Sequence, residues 1–336
     1  MNIHMARVLK RLPGLRPVLV LATAVGVASL AVDADAQPAG MLDDAEIHVL
    51  PVQGNVYMLV GAGANITVQA GDEGVLVIDT GGSAQLTDKI VAAIRGISNK
   101  PIRHVLNTHV HSDHIGANEG IAALGSTIAS FGGGGGNITL DDEQETRANG
   151  VAHENVLHRM VAEDIPFGAW PTDTYFVAQK ELFFNGEAIQ IFHAPAAHTD
   201  GDSIIFFRRS DVIITGDVFL TTHYPVIDAE RGGSIQGIIA ALNHILDLAI
   251  PAAKQEGGTM VIPGHGRLCD EADVLEYRDM VTIIRDRIQN WIDLGWTLSQ
   301  VMAARPTMDY DGRYGADQGP WTTKMFIEAV YRDLSG

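Results

Sequence analysis

The chain has 336 residues, 46% of them hydrophobic, a formal net charge of −18 and one cysteine. That length and apolar content supply a full core. The acidity, without a run of Lys and Arg, argues against a nucleic-acid partner, and a lone Cys269 excludes an internal disulfide.

The N-terminus reads as an export leader. Arg7, Lys10, Arg11 and Arg16 precede the uncharged run Val18 to Val32, and Ala34-Asp35-Ala36 is a small-x-small cleavage site. The apolar run is short for a membrane span of about 20 residues. The expected organisation is a signal peptide over 1–36 and a single domain over 37–336. The mature protein is then periplasmic or secreted, with no stable membrane anchor.

Beyond the leader, short Val/Ile/Leu runs predict strands at Ile47–Leu50, Val56–Val60, Ile66–Gln69 and Val75–Ile78. Ser83 is placed to cap a helix carrying Leu86, Ile90 and Ile94 on one face. A strand at Val105–Leu106 ends in a His-rich loop, and another is expected at Thr127–Ala129. Gly132 to Gly136 read as a loop, and Asp141 to Met160 as a polar helix. Strands return at Glu181–Phe184, Ala188–His193, Ser203–Phe207, Val212–Thr215 and Met260–Ile262. Helices are expected at Ser234–Leu248, Glu271–Leu294, Leu298–Arg305 and Thr322–Leu334. Strands and helices alternating in two similar sets suggest two sheet-and-helix halves.

The chemistry is concentrated in Thr108-His109-Val110-His111-Ser112-Asp113-His114. Three His and one Asp lie within six residues, directly after a strand. Neutral imidazole is a common metal ligand, and four such donors packed together without a partner would be costly. His198, Asp217 and His265 each follow a predicted strand and sit close to Gly. Taken singly, each is an ordinary turn residue. Their recurrence at one strand edge makes them one candidate site.

These motifs resemble the metallo-β-lactamase superfamily over roughly residues 45 to 295. Asp79 matches its first motif, His109 through His114 its H-x-H-x-D-H motif, and His198, Asp217 and His265 the remaining three. The resemblance implies an α/β (α+β) fold, a four-layer αββα sandwich. It implies two Zn²⁺, with Fe or Mn as alternatives. His109, His111 and His198 would bind one ion, Asp113, His114 and His265 the other, with Asp217 between them and Asp79 bracing the His loop. It also implies a hydrolase that attacks a carbonyl with a metal-bridging hydroxide, which Asp113 orients.

The expected partner is a small-molecule substrate, a cyclic or activated amide or ester, with β-lactams and lactones foremost. Asp217 at the fourth motif is more like the thioesterases and lactonases of the family, so a periplasmic thioesterase or general esterase is the second reading. A metal-binding protein without turnover is the third. Tyr224 is a candidate catalytic residue, seven positions after Asp217, with His223 beside it. Arg231 and Arg267 are candidates to bind a substrate carboxylate, although a solvated surface position is the simpler account of both. Asp200 and Asp202 are expected to steady the His198 loop, His153 to sit on a helix, and Cys269 to be core or loop.

Overall fold

The computed structural model describes residues 45–126 and 147–336. The leader, the Thr127–Ala129 strand, the Gly132 to Gly136 loop and the first part of the Asp141 to Met160 helix lie outside the described residues. Among the described residues, no helix is long and apolar enough to cross a membrane.

The first sheet runs in sequence order. Its strands are β1 (His48–Gln53), β2 (Val56–Val60), β3 (Ile66–Gly71), β4 (Gly74–Ile78), β5 (Ile102–Leu106), β6 (Asn149–His153) and β7 (Asp173–Tyr175). Pairing is antiparallel from β1 to β4 and parallel from β4 to β7. The second sheet holds β8 (Gln179–Phe184), β9 (Glu187–His193), β10 (Ser203–Phe207), β11 (Val212–Ile214), β12 (Met260–Ile262) and β13 (Cys269–Asp270), in that spatial order. Only β11 and β12 pair in parallel there.

Two of these findings correct the sequence reading. The segment read as one helix to Met160 contains the strand β6, and the helix begins only at Glu154. His153 therefore ends a strand. Its Nδ1 accepts the backbone N–H of Asn155 and so caps that helix.

Helices cover both outer faces. Over the first sheet lie α1 (Thr87–Ile97), α2 (Ser112–Ile115) and α3 (Asn118–Ala123), followed along the chain by α4 (Glu154–Ala162). Ser83 caps a short 3₁₀ turn that leads into α1. Leu86, Ile90 and Ile94 are fully buried against Val68, Val75, Val77 and Val105. Each such side chain stabilises the fold by about 1.5–3 kcal/mol.

Over the second sheet lie α5 (Ile235–Leu248), α6 (Glu271–Asp293), α7 (Leu298–Ala304), α8 (Asp311–Tyr314) and α9 (Thr323–Ser335). Their apolar stripes pack with Ile204, Ile213 and Val261. Between the sheets, Met58, Leu76, Ile78 and Leu106 meet Ile189, Ile191, Ile205 and Ile214. The result is the αββα sandwich. Cys269 is buried within it, and burial pushes its thiol up to about 12.

One end of the inter-sheet space is polar. Glu187 on β9 accepts from Gln69 Nε2 on β3 at 2.7 Å and from Ser210 Oγ at 2.8 Å. Asn185 Nδ2 donates back to Gln69 Oε1. The buried carboxylate is thus fully engaged, as its burial requires.

Candidate metal centre and its cleft

The candidate donors gather at the opposite end, where the strands finish. After β5 the chain runs through Asn107 and Thr108 to His109, and His111 is the N-cap of α2, which carries Asp113 and His114. His198 follows β9, Asp217 lies in a 3₁₀ turn after β11, and His265 follows β12. The turns are tight. Gly216 adopts φ 50°, and a Cβ on Gly264 would lie 1.8 Å from Asp217 Oδ1. The structure therefore brings together all seven residues singled out from the sequence.

Three groups of donors could each hold a cation, namely His109 with His111 and His198, His109 with His114 and Asp217, and Asp113 with His114 and His265. In the first group His111 Nδ1 lies 3.1 Å from His109 Nε2 and 2.8 Å from His198 Nε2. The far nitrogens are held from behind. His198 Nδ1 donates to the Val226 carbonyl at 2.8 Å, and His111 Nε2 lies 2.9 Å from Asp228. Asp228 in turn accepts from Arg231. Outer partners of this kind fix a histidine's tautomer and aim its other nitrogen.

In the other two groups, which share His114, His114 Nε2 is 3.1 Å from Asp217 Oδ1 and His265 Nε2 is 2.9 Å from Asp113 Oδ2. Asp79 braces both. Its carboxylate accepts from Thr108 N at 2.8 Å and Thr108 Oγ1 at 2.7 Å, and takes His114 Nδ1 at 2.7 Å. Asn65, on the loop after β2, donates to the Pro263 and Gly266 carbonyls and so pins the turn bearing His265.

The electrostatics call for positive charge. Burial opposes a charged His114, yet Asp217, Asp113 and Asp79 outweigh it and hold the imidazole well above its ordinary range. Burial likewise opposes ionised Asp113 and Asp217, but His114 and His265 keep both carboxyls below the usual range. His109 is pushed well below the usual imidazole range by burial and by the neighbouring His114 and His198. Both oxygens of Asp113, both of Asp217 and Nε2 of His114 are buried, and the close polar contacts they make are those between these imidazoles and carboxylates themselves. Converging imidazole nitrogens and buried carboxylate oxygens fit divalent cations bound by N and O donors.

His265 also lines a cleft of 600 Å³, together with Val60, Asn65, Thr222, His223 and Trp321. Among the described residues, no Lys, Arg, Asp or Glu lines it. Arg231 is engaged by Glu163 and Asp228, and Arg267 by Asp273. Asp200 pairs with Arg159, and Asp202 accepts from Thr199 N and Oγ1, steadying the His198 loop.

Tyr224 lies in the helical layer. It is 1% exposed, its ring stacks on Phe326, and its hydroxyl donates to Thr307 O and Asp311 Oδ1. It joins the C-terminal helical layer, with its hydroxyl engaged by Thr307 and Asp311.

Asp228 and Asn65 escaped the sequence reading. Both act through neighbours distant in sequence, and no local pattern marks either.

Comparison with known proteins agrees with this geometry. The chain is 22% identical over 266 residues to a linear primary-alkylsulfatase of Pseudomonas sp. (strain ATCC 19151), covering 68% of this chain and 47% of that protein. It is 21% identical over 216 residues to a metallo-β-lactamase type 2 of Bacillus sp. (strain 170), covering 62% of this chain and 69% of that protein. Among solved structures, a stereoselective inverting sec-alkylsulfatase of Pseudomonas sp. superimposes with a TM-score of 0.65 at 17% identity, over 85% of this chain and 50% of that one. A metallo-β-lactamase of Pontibacter korlensis gives 0.54 at 14% identity, over 70% and 99%. The chain thus spans about half the length of the alkylsulfatases it matches. The sequence model of the metallo-β-lactamase superfamily matches residues 51–265, which run from β1 to the last of the seven donors. The chain belongs to the metallo-β-lactamase superfamily of metal-dependent hydrolases.

Proposed function

We propose that this protein uses two divalent cations, zinc foremost, to open a cyclic or activated ester or amide. The observation that carries the reading is the convergence of seven candidate donors, with the carboxylates of Asp113 and Asp217 buried among the imidazoles. His109, His111 and His198 would hold one cation, Asp113, His114 and His265 the other, and Asp217 would face both. When bound, such cations supply Lewis acidity and lower the pKa of a water at neutral pH. Asp113 faces His265 through Oδ2, which leaves Oδ1 to orient the attacking water and pass its proton toward the leaving atom.

β-Lactams and lactones remain the leading substrates. Within that class the cation-free cleft wall favours neutral lactones and esters over molecules recognised through a carboxylate. Sulfate esters are the second reading, favoured by the similarity to alkylsulfatases over 68% of the chain. Export to the periplasm is part of the proposal and rests on the leader pattern. N-terminal sequencing of protein recovered from the periplasm tests it.

Side-by-side rates on a chromogenic cephalosporin, a neutral lactone, a thioester and an alkyl sulfate decide the substrate class, with and without a chelator. Chelator-sensitive opening of the lactone or cephalosporin supports the leading reading, and preference for the alkyl sulfate moves it to sulfate esters. No turnover on any of the four, with metal still bound, would leave a metal-binding protein.

A further inference from the structure

The cleft has one wall that the family-matched segment does not supply. Residues 51–265 carry the match, whereas Ala316, Gln318, Pro320 and Trp321 lie beyond it and face the same space as His265. These residues belong to the connection between α8 and α9.

That connection is a closed loop. Thr323 N donates to the Ala316 carbonyl at 2.9 Å, and Ala316 N donates to Thr323 Oγ1 at 2.9 Å. The two bonds pin the base of residues 317–322. Behind the loop, Trp321 packs on the helical layer of the second sheet. Tyr224 ties that layer down through Thr307 and Asp311. The indole is therefore held in place before any ligand arrives.

We propose that loop 317–322 is the specificity wall of this enzyme, and that it selects substrates with an apolar acyl or alkyl arm lying against Trp321 and Pro320. The proposal rests on the hydrolase reading given above. Val60 faces the same cleft, so an apolar arm meets apolar surface on more than one side. Asn65, Thr222 and Gln318 supply the polar contacts, and the volume of 600 Å³ suits a ligand of moderate size. A flat indole gives a large contact area at low entropic cost. His265 in the lining sets the hydrolysable bond at the end of the cleft that meets the metal donors.

The experiment compares kcat/KM for p-nitrophenyl esters from acetyl to decanoyl, in the metal-loaded wild type and in Trp321→Ala and Trp321→Phe. In the wild type kcat/KM should climb with chain length, by up to about fourfold per buried methylene. Trp321→Ala should cut the decanoyl-to-acetyl ratio at least tenfold, and Trp321→Phe should retain most of it. A flat wild-type series, or an undiminished ratio in a folded Trp321→Ala, overturns the proposal. If the alanine variant does not fold, the wild-type slope and Trp321→Leu carry the same comparison. If no p-nitrophenyl ester turns over, simple esters are not substrates, and calorimetric binding of acetamide against decanamide still tests the wall. Tighter decanamide binding that weakens in Trp321→Phe or Trp321→Ala supports the proposal, and equal binding of the two amides overturns it.

Discussion

Oδ2 of Asp79 lies 2.7 Å from Nδ1 of His114, and the same carboxylate accepts the backbone N–H and hydroxyl of Thr108. Asp79 sits at the end of β4 in a left-handed conformation, φ 59°, which a non-glycine residue adopts at some cost. One carboxylate thus aims His114 and anchors the start of the loop that carries four donors. Asp79→Ala should take the carboxylate away from His114 Nδ1 and from the Thr108 N–H and hydroxyl, and weaken metal binding by about 10–100-fold. Competition against a chromophoric chelator measures this, and an affinity within about twofold of the wild type would remove Asp79 from that role.

Gly264 tests the crowding at Asp217. A methyl group there would stand 1.8 Å from Asp217 Oδ1 and 2.8 Å from the Gly216 carbonyl carbon. Gly264→Ala should therefore displace Asp217 and lower the metal content, while circular dichroism reports a retained fold. Full metal occupancy by elemental analysis would mean that Asp217 is not a ligand.

Asp113→Asn alters a candidate metal ligand and the proposed water-orienting carboxylate together, so metal content is measured beside turnover. The amide keeps the shape of the side chain but loses the carboxylate that orients water. Turnover should fall by about 100-fold or more, with little change in melting temperature. Near-normal kcat would refute the role.

Tyr224→Phe addresses the opposite kind of residue. It deletes the hydrogen bonds to Thr307 O and Asp311 and should destabilise the fold by about 1–2 kcal/mol. Because the hydroxyl points into the helical layer, kcat/KM should stay within about twofold of the wild type. A large loss of kcat in a stable variant would return Tyr224 to the chemistry.

Stability should depend on pH through His153. This ring stacks on His193 with centroids 3.7 Å apart, and burial, followed by the charge of His193, pushes its pKa from 6.5 down to about 4. Asp200 acts in the opposite direction and His158 in the same one. Between pH 6.5 and about 4 the unfolded chain binds a proton that the folded chain refuses, so stability falls as the pH drops through that window. Melting temperatures in chelator, which removes metal loss as a cause, should show this decline. His153→Gln should reduce the slope, and an identical slope in the variant would place the effect on other histidines.

Most strands and all seven donors were legible in the sequence because the two signals coincide. Each donor or donor loop follows an apolar β run, so finding the run also locates the donor. The strand β6 was not legible. Asn149-Gly150-Val151-Ala152-His153 has low β propensity, and its pairing with β5 and β7 decides its conformation. The partners of Tyr224 were not legible, because seven residues of separation from Asp217 say nothing of the direction in which a side chain points. Asp228 and Asn65 support the site from segments far away in sequence, 117 residues from His111 in one case and 198 from Pro263 in the other.

The bonds joining Gln69 of one sheet to Glu187 of the other bear on the metal donors at the opposite end. His109 to His114 arrive on the first sheet, and His198, Asp217 and His265 on the second. A slip of one sheet past the other by a single residue, about 3.3 Å, would pull the two sets out of reach of a shared ion. The Gln69–Glu187 lock resists that shear from the far edge, so the spacing of the candidate donors is set in part by residues that never touch them. Loosening the lock should show first as a weakened metal affinity, before any strand is lost.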